Sequence, residues 1–122
     1  MDKINYIKIA YNFNLQEFEC PCCKRVMLHS DLLKKLVRLR QKIHEPLIIN
    51  SGYRCPEENK KAGGVPTSYH LFGMAADVTA KLTSITDLLQ YAIDIGFYGI
   101  GRYENFLHLD VRPTKSRWED PS

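Results

Sequence analysis

No stretch of the chain is apolar for long enough to cross a membrane as a helix. The first residues, Met1-Asp2-Lys3-Ile4-Asn5-Tyr6, lack a continuous apolar segment and a small-residue cleavage site. No secretory signal is therefore expected, and the protein is expected in the cytoplasm until another route releases it. No internal repeat and no low-complexity tract is visible, which excludes a repeat architecture. A strong excess of one charge is also missing. Lys and Arg number 17 against 14 Asp and Glu, a net charge of +3, so no nucleic-acid partner is expected. Lys34, Lys35, Arg38, Arg40 and Lys42 do fall on one predicted helix, where they read as the solvated face of an amphipathic element.

What is present suits one small globular unit. The chain has 122 residues, 44% apolar and 25% charged, enough to bury a core without disulfides and too few for two domains. Residues 1–122 are read as a single monomeric domain, with an extended arm at 1–19 and a loose polar tail at 113–122.

Periodicity supplies the elements. In the arm, Ile7, Ile9 and Tyr11 alternate with Lys8 and Ala10, which suits a short strand, and Asn14 opens a single helical turn. A helix is expected over 31–43, capped by Ser30, with Leu32, Leu33, Leu36, Val37, Leu39 and Ile43 as its apolar stripe. His29 and His44 flank it as surface or capping residues. Leu47-Ile48-Ile49-Asn50 reads as a buried strand, and 56–62 as a short helix with Pro56 at its first position. A further helix is expected over 85–95, capped by Thr83 or Ser84 and stopped by Gly96. Residues 97–103 and 106–112 read as a β-hairpin turning at Glu104-Asn105.

Three cysteines crowd into four positions, Cys20, Cys22 and Cys23, with Cys55 further on. They could bind a structural zinc, although adjacent Cys22 and Cys23 fit the usual two-residue ligand spacing only in part. One of them could form a disulfide with Cys55, which needs an oxidising compartment. They could also be free thiols packed as small apolar groups. A tie to Cys55, by disulfide or by a shared second metal, is preferred.

The chemistry concentrates in Ser68-Tyr69-His70-Leu71-Phe72-Gly73-Met74-Ala75-Ala76-Asp77 and in Phe106-Leu107-His108-Leu109-Asp110. His70, Asp77 and His108 offer three protein ligands to Zn2+ and leave a fourth position for water, the count of catalytic zinc sites. In a strand, His108, Asp110 and Arg112 share one face while Leu107, Leu109 and Val111 share the other. Asp110, on the ligand face, is the expected general base; its other possible role is to orient a ligand imidazole. Glu104 is the rival base. Arg54 is expected to bind a substrate carboxylate or a developing oxyanion, and Ser68 to hydrogen-bond the substrate.

These motifs resemble a family. Ser68, His70, Gly73, Ala75 and Asp77, in the pattern Ser-x-His-x-x-Gly-x-Ala-x-Asp, are similar to the first zinc motif of the zinc D-alanyl-D-alanine carboxypeptidases. Their superfamily includes phage L-alanyl-D-glutamate endolysins and the hedgehog amino-terminal domain. Ser51-Gly52-Tyr53-Arg54 resembles the family's arginine-bearing turn, and Phe-x-His-x-Asp-x-Arg resembles the second zinc motif of its short phage-type branch. The resemblance spans about residues 14 to 112. It implies an α+β fold, with a small antiparallel sheet carrying the zinc site and helices on the other face. It also implies hydrolysis of peptide bonds in peptidoglycan stem peptides, as a D,D-carboxypeptidase or endopeptidase. His70, Asp77 and His108 would then be the ligands and Arg54 the substrate binder. Several branches carry an acid three residues before the second His, or a His two before it; here those positions are Asn105 and Phe106. A non-catalytic zinc-containing cell-wall-binding domain is the alternative.

Overall fold

Two amphipathic helices decide how the chain collapses. Helix α1, Ser30–Ile43, buries Leu32, Leu36 and Leu39, spaced four and three residues apart on one stripe. Helix α3, Ile85–Ile95, buries Leu88 and Ala92 one turn apart. The helices pack against each other, and α3 packs against the strands Gly99–Arg102 and Leu107–Asp110. The buried side chains of both helices share one core with one face of the sheet. That face presents Ala76, Val78, Ile100, Leu107 and Leu109, all within 1% of full burial. Each such leucine contributes about 1.5–3 kcal/mol by leaving water. The description rests on a computed structural model and covers residues 8–10 and 13–120.

In chain order, β1 (Lys8–Ala10) and β2 (Phe13–Asn14) form a small antiparallel pair, followed by a 3-10 turn, Leu15–Phe18, and then α1. Next come β3 (Ile48–Ser51), α2 (Pro56–Lys61), a 3-10 turn over Tyr69–Phe72, and β4 (Ala75–Thr79). After α3 follow β5 (Gly99–Arg102), β6 (Leu107–Asp110) and β7 (Ser116–Glu119). The main sheet has the order β3-β4-β6-β5-β7. The fold is α+β, as expected.

Three features differ from the sequence expectation. The sheet is not purely antiparallel, because β7 runs parallel to β5. The tail from residue 113 is not loose: it forms β7, and its Ser116 N–H and Asp120 N–H donate to Tyr98 O and Arg102 O, both at 2.8 Å. An outer strand here satisfies donors and acceptors that β5 would otherwise leave bare along an edge. The arm also does not stand apart, since Phe13 and Phe18 are buried in the main core. Ile7 and Tyr11, two of the three apolar residues in the alternation expected there, lie outside the described residues.

Helix boundaries fall close to expectation. His29 caps α1 instead of Ser30, its Nδ1 accepting the Asp31 N–H at 3.1 Å. Ser84 caps α3 through Asp87 N–H, and Gly96 ends it. Cys55 holds the N-cap position of α2. Between α1 and α3, the carboxylate of Glu45 accepts from Leu82 N–H at 3.0 and 3.1 Å and from Thr83 Oγ1 at 2.6 Å.

Candidate metal centre

Sheet register assembles the site on the face away from α1 and α3. Asp77 on β4 lies opposite His108 on β6. His108 lies opposite Gly101 on β5, and Gly101 opposite Trp118 on β7. One row therefore crosses four strands. His70 joins it from the 3-10 turn before β4, where the Ser68 hydroxyl accepts the His70 N–H at 3.3 Å.

The donor atoms converge. Asp77 Oδ1 is 3.2 Å from His70 Nε2 and 3.1 Å from His108 Nδ1, and all three lie within 4.8 Å of one another. Ligands about 2.0–2.1 Å from a tetrahedral zinc stand about 3.3 Å apart. The outer ring nitrogens are already committed. His70 Nδ1 donates to Gly52 O at 2.7 Å, because a carbonyl can only accept. His108 Nε2 donates to Asp110 Oδ2 at 2.7 Å for the same reason. A neutral ring so held sets a nitrogen lone pair against the Asp77 oxygen. Each ring therefore needs a second proton, or the three need one shared cation. The donor set fits a divalent metal of the zinc type.

Electrostatics follow this geometry. Burial would raise the Asp77 carboxyl, but the contacts from His108 and His70 outweigh it and hold the group well below the usual carboxylate range. Burial would lower His108, yet Asp110 and Asp77 outweigh it and push its pKa up. Asp110 is fully buried. Its pKa falls to about 2, because Arg112 and His108 overcome desolvation. Arg112 grips it with Nε at 2.9 Å, Nη2 at 2.7 Å and its backbone N–H at 3.1 Å.

Two glycines make room for this arrangement. A side chain at Gly99 would run into the Asp110 carboxylate, and one at Gly101 would run into the Trp118 indole. The indole leans toward His108, with ring centroids 5.2 Å apart, and donates to Tyr103 Oη at 3.0 Å. Arg112 sits between Tyr69 and Trp118, 4.6 and 5.0 Å from the two rings.

A cleft of about 540 Å³ opens over His70, Asp77 and His108. Arg54, Ser68, Tyr69, Tyr103, Phe106, Arg112 and Trp118 line it together with the loop around Gly63-Gly64. Arg54 donates to Asp77 Oδ2 at 3.0 Å and to Ser51 Oγ at 3.0 Å. Asp110 and Glu104 do not line it: Asp110 lies behind His108, and Glu104 is exposed in the β5–β6 turn. The four cysteines gather elsewhere, as one cluster. Trp118, Tyr103 and Tyr69 were not foreseen as site residues. For Trp118 the only hint was the alternation Ser116-Arg117-Trp118-Glu119, too short to name a strand.

The model of one protein family, peptidase M15, matches residues 11–110. A search of curated proteins found no match. Among solved structures, the Serratia marcescens L-Ala D-Glu endopeptidase ChiX is similar in fold, with a TM-score of 0.52 and 18% identity. The alignment covers 70% of this chain and 80% of that one.

Proposed function

The chain belongs to the peptidase M15 family, and from that premise we propose that it is a zinc-dependent peptidase cleaving peptide bonds in the stem peptides of bacterial peptidoglycan. The observation that carries this reading is the convergence of His70 Nε2, Asp77 Oδ1 and His108 Nδ1 under an open cleft. The endopeptidase activity named for the Serratia neighbour favours an endopeptidase over a carboxypeptidase.

When bound, zinc supplies Lewis acidity, polarising a scissile carbonyl and making a water acidic enough to attack near neutral pH. The protein's own groups do the rest. Gly52 O and Asp110 hold the two imidazoles so that their inner nitrogens face Asp77. Arg54 orders the Asp77 carboxylate and stands on the cleft wall, where it is assigned to a substrate carboxylate or the developing oxyanion. Arg112 adds a second positive charge to that wall. Stem peptides carry free carboxylates, and a cleft with two guanidinium groups suits them. Ser68 borders the same space, its hydroxyl beside the turn that carries His70.

Asp110 is assigned to orienting His108 and not to proton transfer, because burial and Arg112 remove it from the cleft. Glu104 does not line the cleft either, but it is exposed in the turn that carries Tyr103 and Phe106, both on the cleft wall, and we take it as the chain's remaining candidate to accept the water's proton.

A second reading, a non-catalytic zinc-containing wall-binding domain, is favoured by one observation. Among the described residues, Asp77 is the sole carboxylate lining the cleft. Incubation with purified muropeptides separates the two. New free amines, lost on chelation and restored by zinc, establish the peptidase. Unchanged muropeptides with retained wall binding establish the binding domain.

A further inference from the structure

Four cysteines take no part in the proposed reaction, yet the fold brings them together. Cys20, Cys22 and Cys23 come from the loop after the first 3-10 turn, and Cys55 from the start of α2. The sulfur of Cys20 lies 3.6 Å from those of Cys22 and Cys55, and Cys22 and Cys55 are 3.1 Å apart. All four sulfurs lie within 4.8 Å of one another.

These separations are too long for disulfides, whose sulfurs stand about 2.05 Å apart, and all four thiols are free. Thiol-to-thiol hydrogen bonds are weak, so they give little reason to collect four sulfurs. Sulfurs about 2.3 Å from a tetrahedral zinc stand about 3.8 Å apart, which these positions approach. The backbone also prepares the sulfurs to carry negative charge. Cys55 N–H points at Cys20 Sγ and Glu58 N–H at Cys55 Sγ, each at 3.5 Å.

Sequence spacing argued against adjacent Cys22 and Cys23 as ligands of one ion. The local fold removes that objection. Cys20 N–H donates to Arg25 O at 2.7 Å and Lys24 N–H to Cys20 O at 2.9 Å. Lys24 takes a left-handed conformation, φ 63°. The chain thus doubles back within six residues and turns both neighbouring sulfurs toward Cys55.

We propose that Cys20, Cys22, Cys23 and Cys55 bind a second zinc ion, closed on all four sides by thiolates and structural in role. It ties the segment before α1 to the β3–α2 loop. That loop is the back wall of the metal centre: Tyr53 N–H donates to Phe18 O at 2.9 Å, Gly52 O holds His70, and Arg54 N–H donates to His70 O at 3.1 Å. Cys55 is bonded directly to Arg54. The second zinc thereby fixes the loop that sets the His70 tautomer.

The test is metal content together with the absorption spectrum of full-length protein produced in zinc-depleted, cobalt-supplemented medium. Two metal ions per chain and an intense thiolate-to-cobalt charge-transfer band in the near ultraviolet are expected. His108→Ala should lose one ion and keep the band. Cys55→Ser should lose the band and keep the other ion. The histidine site has no sulfur, so the band reports the cysteines alone, whether or not the protein cleaves muropeptides. Wild-type protein without the band overturns the proposal, as does a disulfide found by mass, or four thiols that react freely in protein carrying zinc. Iron found at the cysteines would overturn the zinc assignment. The wild-type readings decide the matter even where Cys55→Ser fails to fold.

Discussion

Asp110 Oδ2 lies 2.7 Å from His108 Nε2, on the side of the ring away from Asp77. A carboxylate there fixes which nitrogen keeps its proton, and so which one faces the metal. Replacing it with Asn keeps the size and removes the charge. Asp110→Asn should weaken metal binding by about 10- to 100-fold, measured by competition against a chelator of known affinity. Activity should recover as zinc is raised to saturation. If Asp110 were the general base, metal affinity would stay at the wild-type value while turnover collapsed.

Glu104→Gln separates the other half of that assignment. It should leave zinc affinity unchanged and lower kcat by about 100-fold or more, the usual contribution of a positioned acid or base. Full turnover in this variant would remove Glu104 from the mechanism. Glu104 is exposed, so the substitution should leave folding intact, within about 0.5 kcal/mol of wild-type stability.

Gly99→Ala tests the space behind the site. The added methyl meets the Asp110 carboxylate, which is fully buried and has nowhere to retreat. We expect a loss of about 1–3 kcal/mol in stability from overpacking, read from denaturant midpoints, together with weakened metal binding. Unchanged zinc affinity in a folded Gly99→Ala protein would show that the Asp110–His108 contact does not set the centre.

Much of this was legible in the residues, for physical reasons. The leucine stripe of α1 and the caps of α3 follow from helical spacing and local hydrogen bonding, which sequence carries directly. The cluster of His70, Asp77 and His108 was legible because His70 and Asp77 sit in one short motif and His108 in an alternating strand. What escaped depends on pairing between distant segments. Nothing local says that Trp118 will lie beside Gly101, so the last ten residues read as a polar tail. The expectation of Asp110 as base rests on strand alternation, which puts it on the same face as His108. Alternation cannot tell that Gly99 opens a pocket beneath that face, or that Arg112 closes around the carboxylate.

Trp118→Ala follows from that missed strand. The indole covers Gly101, approaches His108 and donates to Tyr103. Its removal should cost about 2 kcal/mol from lost apolar burial and should raise KM more than it lowers kcat, since the cleft loses a wall and keeps its ligands. A loose tail would predict no change in either thermal stability or KM.

Glu45 offers a pH test remote from the metal. Its carboxylate accepts from Thr83 Oγ1 and Leu82 N–H, tying the end of α1 to the approach to α3. The Thr83 contact, ahead of opposing desolvation and reinforced by backbone donors at Leu82, Thr83 and Lys81, holds its pKa below the ordinary glutamate value. A carboxyl with a lower pKa folded than unfolded stabilises the protein above the unfolded value, about 4.3. That contribution fades as pH falls through the folded value. Other carboxylates titrate in the same range, so the informative quantity is the difference between wild type and Glu45→Gln. Denaturation midpoints should favour wild type at pH 7 and converge with the variant near pH 3. A gap of constant size across that range would mean that the contact acts through shape alone and that charge on Glu45 contributes nothing.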